Sequence, residues 1–203
     1  ELLSSGLGKF TALSARDVGT KELLEVLTKQ EIPLVCDPAL LYRFSHPRKE
    51  HPKKYIVVYS YQSNFKDKNR IKKIREYARR EHCELWSVGV YYKWCDKKIS
   101  CDPIEMMKIF ANAQAVITDT FHGTITSYIT HTPMAVFVRE NNSVKLNHLL
   151  EIIGIENRKV NTPEMLECIL EMPLDFDELD NNVEKLRCIG EAYLEQALAE
   201  AER

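Results

Sequence analysis

From Tyr55 onward, short apolar β-prone runs alternate with amphipathic helical stretches, which restricts the chain to few folds. Tyr55 to Tyr59, Leu85 to Val90, Ala115 to Ile117 and Pro133 to Val138 are near-continuous apolar runs, the pattern of strands buried on both faces. Pro133 is tolerable as a first strand residue. Lys66 to Glu81 carries Ile71, Ile74, Tyr77 and Ala78 at helical spacing. Asp102-Pro103 opens a helix with Ile104, Met107 and Phe110 inward, and Glu105 completes a capping-box pattern. Ile125, Tyr128 and Ile129, then Leu146, Leu149, Leu150 and Ile153, give two more helices, the last closed by Gly154. This order predicts an α/β fold, a doubly wound, mostly parallel, Rossmann-like sheet with right-handed crossovers.

The flanking segments are less periodic. Residues up to Phe10 read as an arriving loop, and Thr11 to Asp17 as a candidate strand. A helix follows with Leu23, Leu24 and Leu27 on one face, capped by Asp17 or Thr20. Ile32 to Val35 is a second candidate strand, closed by Cys36-Asp37-Pro38. Tyr61 to Asn64 is expected as a turn, Tyr91 to Cys101 as a loop, Ile155 to Val160 as a short strand and Pro163 to Leu170 as a short helix. From Phe176, apolar residues at 3–4 spacing (Leu179, Val183, Leu186, Ile189, Tyr193, Ala197) predict one long helix, or two with Gly190 as a weak point. The expected organisation is 1–44 as a first-domain remnant or sheet extension, 45–54 as a linker, 55–175 as the Rossmann-like domain, and 176–203 as a helix packing back on the first part.

Composition narrows the function classes. A chain of 203 residues with 44% hydrophobic content supports one globular domain with part of a second. A net charge of −2 argues against a dedicated nucleic-acid binder. The basic run from Lys66 to Arg80 reads as the wet face of a sheet-covering helix, and the absence of aromatics from that basic face argues against single-strand binding. No run reaches membrane-spanning length and no signal peptide is visible, although the chain opens at Glu1 without Met. Six cysteines are scattered without a CxxC pair, as in a reduced, cytoplasmic protein. Cys83, Cys95, Cys101 and His82 match no tight ligand spacing, and no metal is expected.

The chemistry-bearing stretch is Ala115 to Ser127: a buried strand, a polar turn and a helix start. In a parallel sheet that junction lies at the carboxyl edge, where ligands bind. Asp119, Thr120, His122 and Thr124 are therefore the leading site candidates. The helix-start N–H groups at Gly123 and Thr124 are candidates to cradle phosphate.

Three stretches together, Ser14-Ala15-Arg16-Asp17, Asp37-Pro38-Ala39 and Thr118-Asp119-Thr120-Phe121-His122-Gly123-Thr124, resemble the polysaccharide pyruvyl transferase family. Lys145, Leu149-Leu150 and the Asp102-Pro103-Ile104-Glu105 helix start also fit, so the resemblance runs from about Leu13 to Arg158. It implies a fold similar to B-type glycosyltransferases, and transfer of a pyruvyl group from phosphoenolpyruvate to glycan hydroxyls as a ketal. Because members are longer, the chain is expected to be the C-terminal, donor-binding part with most of the first domain absent. Thr120 stands where many members carry Arg, which removes one anion clamp.

Under that resemblance the donor brings a phosphate and a carboxylate, so cations and a proton donor are required. Arg16, Arg139 and Lys145 are the candidate cations, with Gly123, Thr124 and Thr120 completing donor binding. His122 is the candidate acid–base, since its reference pKa lies near neutrality. Asp119 could orient it, bind a sugar hydroxyl or cap the helix; a Tyr or Asp from another domain could serve as the acid. No cofactor is expected beyond phosphoenolpyruvate as substrate. The partners expected are a small anionic donor and a glycan or lipid-linked acceptor, with peripheral membrane association and a homodimer as further options, in the cytoplasm or at the inner face of the membrane. Two alternatives remain open: a nucleotide-sugar glycosyltransferase, and a non-catalytic truncated domain that binds a glycan or a protein.

Overall fold

A computed structural model describes residues 2–45, 49, 51–61 and 65–202. In chain order it contains α1 (Leu2–Leu7), α2 (Val18–Thr28), α3 (Pro38–Leu41), β1 (Tyr55–Tyr59), α4 (Lys68–Arg80), β2 (Glu84–Val88), β3 (Lys97–Ile99), α5 (Pro103–Asn112), β4 (Ala115–Thr118), α6 (Phe121–Ile129), β5 (Met134–Val136), α7 (Ser143–Ile153), α8 (Leu166–Glu171) and α9 (Phe176–Ala201). The chain divides into two units, Arg43–Phe176 and Glu1–Tyr42 with Asp177–Arg203.

In the larger unit a five-stranded sheet runs in the order β3-β2-β1-β4-β5. Every pairing is parallel. The strands are short, and β1, β2, β4 and β5 are almost wholly buried because helices cover both faces. Ile56, Val58, Ile74, Ala115, Ile117, Ala135 and Phe137 share one core cluster. From β1 the chain steps outward to β2 and β3, then returns to add β4 and β5 on the other side. The reversal falls between β1 and β4, whose ends lie side by side with Tyr59 opposite Thr118. That is the topological switch point of the sheet.

Local chemistry explains the helix starts. Asp67, Asp102 and Thr120 each accept a backbone N–H three residues on, at 2.6, 2.8 and 2.9 Å, capping α4, α5 and α6. Pro103 occupies the first turn of α5, where a missing N–H is harmless. Gly154 ends α7 with φ +88°, a left-handed conformation that suits glycine.

The structure corrects several sequence expectations in this unit. Lys97–Ile99, expected within a loop, is an edge strand paired with Trp86–Val88. It is only three residues long and largely exposed, so it carries no hydrophobic signature. The strand expected at 155–160 reduces to a 3₁₀ turn at Glu156–Arg158 and one parallel bridge, Val136 to Lys159. Ile104 is 48% exposed rather than inward. The expected linker at 45–54 lies partly, and the turn at 61–64 mostly, outside the described residues.

In the smaller unit the expected strands are a single parallel bridge between Ala15 and Leu34. The expected loop before Phe10 contains α1. Helix α2, capped by Asp17, buries none of its residues, and Leu23 is 57% exposed. Gly190 does not interrupt α9. A Cβ there would meet Cys36 Sγ and Leu41 Cδ2 at 3.3 Å, so the glycine serves close packing. Arg187, buried in the same helix, donates from Nε to the Leu40 carbonyl at 2.6 Å.

Candidate functional site

The ends of β1 and β4 place Ser60 beside Asp119. Asp119 is fully buried, and its Oδ1 accepts a hydrogen bond from the Ser60 hydroxyl. Arg139 Nε lies 3.0 Å from Asp119 Oδ2, but its N–H is misaligned, so this contact is an ion pair without a hydrogen bond. The Asp119 carbonyl accepts from Asn142 Nδ2 at 2.8 Å. One buried acid thus ties together the ends of β1 and β4 and the loop after β5. Burial pushes the Asp119 carboxyl up from its usual range, against the Ser60 bond and the nearby Arg139 and Arg70 cations. Tyr92, in the segment after β2, donates to the Tyr61 carbonyl at 2.8 Å, and burial pushes its phenol up as well.

The turn into α6 is tightly knotted. Thr120 Oγ1 accepts the Gly123 N–H at 2.9 Å and sits 3.1 Å from the Thr118 hydroxyl. The Thr120 carbonyl accepts both the Thr124 N–H at 3.1 Å and the Thr124 hydroxyl at 3.0 Å. The N–H groups of Gly123 and Thr124, expected to cradle phosphate, are therefore engaged by the cap itself. Gly123 is demanded by packing: a Cβ would approach Thr118 Oγ1, Thr120 Oγ1 and Tyr59 Cδ1 within 2.3, 2.6 and 2.7 Å.

His122 is exposed on the first turn of α6, edge-on to Phe121 with ring centroids 5.5 Å apart. The carboxylate of Asp119 faces Ser60 and Arg139. Arg139 folds back over Asp119 and also donates to Asn141 Oδ1 at 3.1 Å. Lys145 is exposed on α7. Arg16 belongs to the smaller unit, where it pairs with the buried Asp37. Asp37 also accepts the Ala39 N–H at 2.9 Å, which links two of the motif stretches through one carboxylate.

Sequence reasoning missed Ser60, Asn142 and Arg70. Ser60 lies in a turn without a motif, and Arg70 was counted with the solvated basic face. The available signal was positional: the first turn of a helix that follows a parallel strand opens at the carboxyl edge. Among the described residues no group of His, Cys, Asp or Glu is arranged to hold a metal ion. No helix among them is long and apolar enough to cross a membrane.

Comparison with solved structures matches this fold to B-type glycosyltransferases. The kitacinnamycin glycotransferase aligns at TM-score 0.55 and 15% identity, over 84% of this chain and 50% of that one. The Thermobaculum terrenum O-GlcNAc transferase aligns at TM-score 0.51 and 11% identity, over 94% and 43% respectively. The chain thus spans about half the length of these structures. Among curated proteins no relative is found. The polysaccharide pyruvyl transferase family matches residues 1–141. The match takes in residues 1–44 and overturns the expectation of a C-terminal remnant with its first domain absent. Arg16, Asp119, Thr120, His122, Gly123, Thr124 and Arg139 lie within it, and Lys145 lies beyond it. With the family pattern running through both motif stretches and the switch point, the chain belongs to the polysaccharide pyruvyl transferase family.

Proposed function

We propose that the protein is a transferase acting on sugars or polysaccharides, and that it binds an anionic donor at the carboxyl edge between β1 and β4. The observation that carries this reading is the buried Ser60–Asp119 pair with the half-buried Arg139 beside it at the switch point. Open α/β sheets take ligands there, and a buried acid with arginine beside it orients polar groups without metal. His122, exposed at the start of the adjacent helix, is the proposed acid–base group.

Two donors suit such an edge. The solved structures sharing this fold are glycosyltransferases by description, which favours a nucleotide-sugar. Phosphoenolpyruvate rests on family membership alone. The broader reading therefore has more support than the pyruvyl chemistry.

Calorimetric titration with phosphoenolpyruvate and, in parallel, UDP-glucose tests the proposal. Saturable binding of one donor, with product formation lost in His122→Ala while binding persists, is the expected result. A well-folded protein that binds neither donor refutes it.

A further inference from the structure

Arg70 occupies the first turn of α4, the helix that follows β1 in the chain. Its guanidinium carbon lies 4.3 Å from the centroid of the Phe137 ring and 5.9 Å from that of Phe65. Its Nε is buried and has no hydrogen-bond acceptor among the described residues. Arg70 as a whole is half-buried; leaving its buried Nε donor unmatched costs about 1–3 kcal/mol, so such an atom is normally satisfied.

Several other cations of this unit are matched. Arg80, at the far end of α4, pairs with Glu81, Glu167 and Glu171. Lys72 and Lys73 both reach Glu76. Arg158 also has a bare buried Nε, but its other nitrogens donate to the Ile169, Met172 and Pro173 carbonyls and close the end of α8. The Arg70 Nε has no such acceptor among the described residues.

Its position points to a ligand. Phe137, whose ring lies under Arg70, and Arg139, whose Nε lies 3.0 Å from Asp119 Oδ2, both belong to the segment that leaves the carboxyl end of β5. Arg70 is also close enough to Asp119 to favour its anion. Two arginines against one carboxylate leave one positive charge uncompensated where the sheet reverses. Stacking on an aromatic ring fixes the guanidinium plane without using its donors, which suits forked recognition of phosphate oxygens.

We propose that Arg70 is an anion-binding residue of this site, acting with Arg139 to hold the phosphate of a small-molecule donor. The proposal rests on the transferase reading for its donor but names a group which that reading did not need. The shared chemistry is a phosphate dianion or diphosphate, from either phosphoenolpyruvate or a nucleotide-sugar.

The test titrates the intact chain with inorganic pyrophosphate, phosphoenolpyruvate and UDP-glucose, using wild type, Arg70→Gln, Arg70→Lys and Arg79→Gln. Arg79 is an exposed arginine on the same helix and controls for net charge. Arg70→Gln is expected to weaken pyrophosphate about tenfold or more, the loss of one charge-assisted hydrogen-bonded contact. Arg70→Lys is expected to recover part of that loss and Arg79→Gln to shift it less than about twofold. If Arg70→Gln fails to fold, the lysine variant carries the test, with an expected loss relative to wild type. Equal weakening by Arg79→Gln, unchanged pyrophosphate binding by Arg70→Gln or Arg70→Lys, or no wild-type binding of pyrophosphate overturns the proposal. Pyrophosphate binding lost in Arg70→Gln, without binding of either donor by wild type, supports this anion site and refutes the transferase reading. Donor binding that ignores Arg70 does the reverse.

Discussion

Asp119 concentrates the physical tension of the site in one side chain. It is fully buried, faced by Ser60, Arg139, Arg70 and Tyr92, and its carboxyl is held above the usual range by desolvation. A raised folded pKa means the native protein holds this proton more tightly than the unfolded chain. The resulting stabilisation is fully present below the unfolded value of about 3.9 and is lost as pH rises through the native value. Wild-type stability relative to Asp119→Asn should therefore decline across that window; a difference that is flat with pH in denaturant titrations would show that Arg139 and Ser60 cancel the burial. Gly123 is constrained more simply. Gly123→Ala drives a methyl into Thr118, Thr120 and Tyr59, and overpacking of this kind costs about 1–3 kcal/mol. Thermal melting that matches wild type would contradict the close approach.

At the scale of elements, caps and close packing oppose or reinforce helix propensity. Asp102 is a plain N-cap on α5, and Asp102→Ala should cost about 1 kcal/mol, read as a shift in the urea midpoint at constant m. Gly190 runs the other way. Alanine in a helix interior is worth about 1 kcal/mol over glycine on propensity alone. Here the new methyl sits 3.3 Å from Cys36 Sγ and Leu41 Cδ2, so the neighbours must give. Gly190→Ala is expected to forfeit the propensity gain and leave the protein no more stable than wild type. A rise in melting temperature would show that α9 has room against α3. The acidic face of α8 explains the basic end of α4: Arg80 is matched by Glu167 and Glu171, which is ordinary surface pairing worth little at physiological salt.

At the scale of the molecule, the larger unit carries its own core and the whole Ser60–Asp119–Arg139–Arg70 group. Arg16 and Asp37 lie in the other unit. Residues 43–176 expressed alone should unfold cooperatively, with native near-ultraviolet signal from Trp86, Trp94 and the surrounding tyrosines. Loss of that signal with helix content retained would indicate that this core depends on the rest of the chain. The polar group should survive the excision, because every partner named for it lies between Ser60 and Asn142.

Local pattern was enough for the strands β1, β2, β4 and β5 and for the helices between them. Burial on both faces leaves apolar runs in a parallel sheet, and caps leave Asp or Thr at fixed offsets. The carboxyl-edge position of Asp119 and His122 followed from the same alternation. What local pattern could not supply was everything set by contacts between distant segments. Lys97–Ile99 is a strand only because Trp86–Val88 offers it a parallel edge. Ile104 and Leu23 sit on helical faces that nothing in their unit covers. Gly123 and Thr124 resemble a phosphate cradle in sequence, but in space Thr120 uses their N–H groups. Arg70 reads as one charge in a basic run until folding lays it on Phe137, with its buried Nε lacking a hydrogen-bond acceptor among the described residues. Periodicity encodes which face of an element is apolar; which neighbour meets that face, and which polar atom is left over, is decided only when the chain closes on itself.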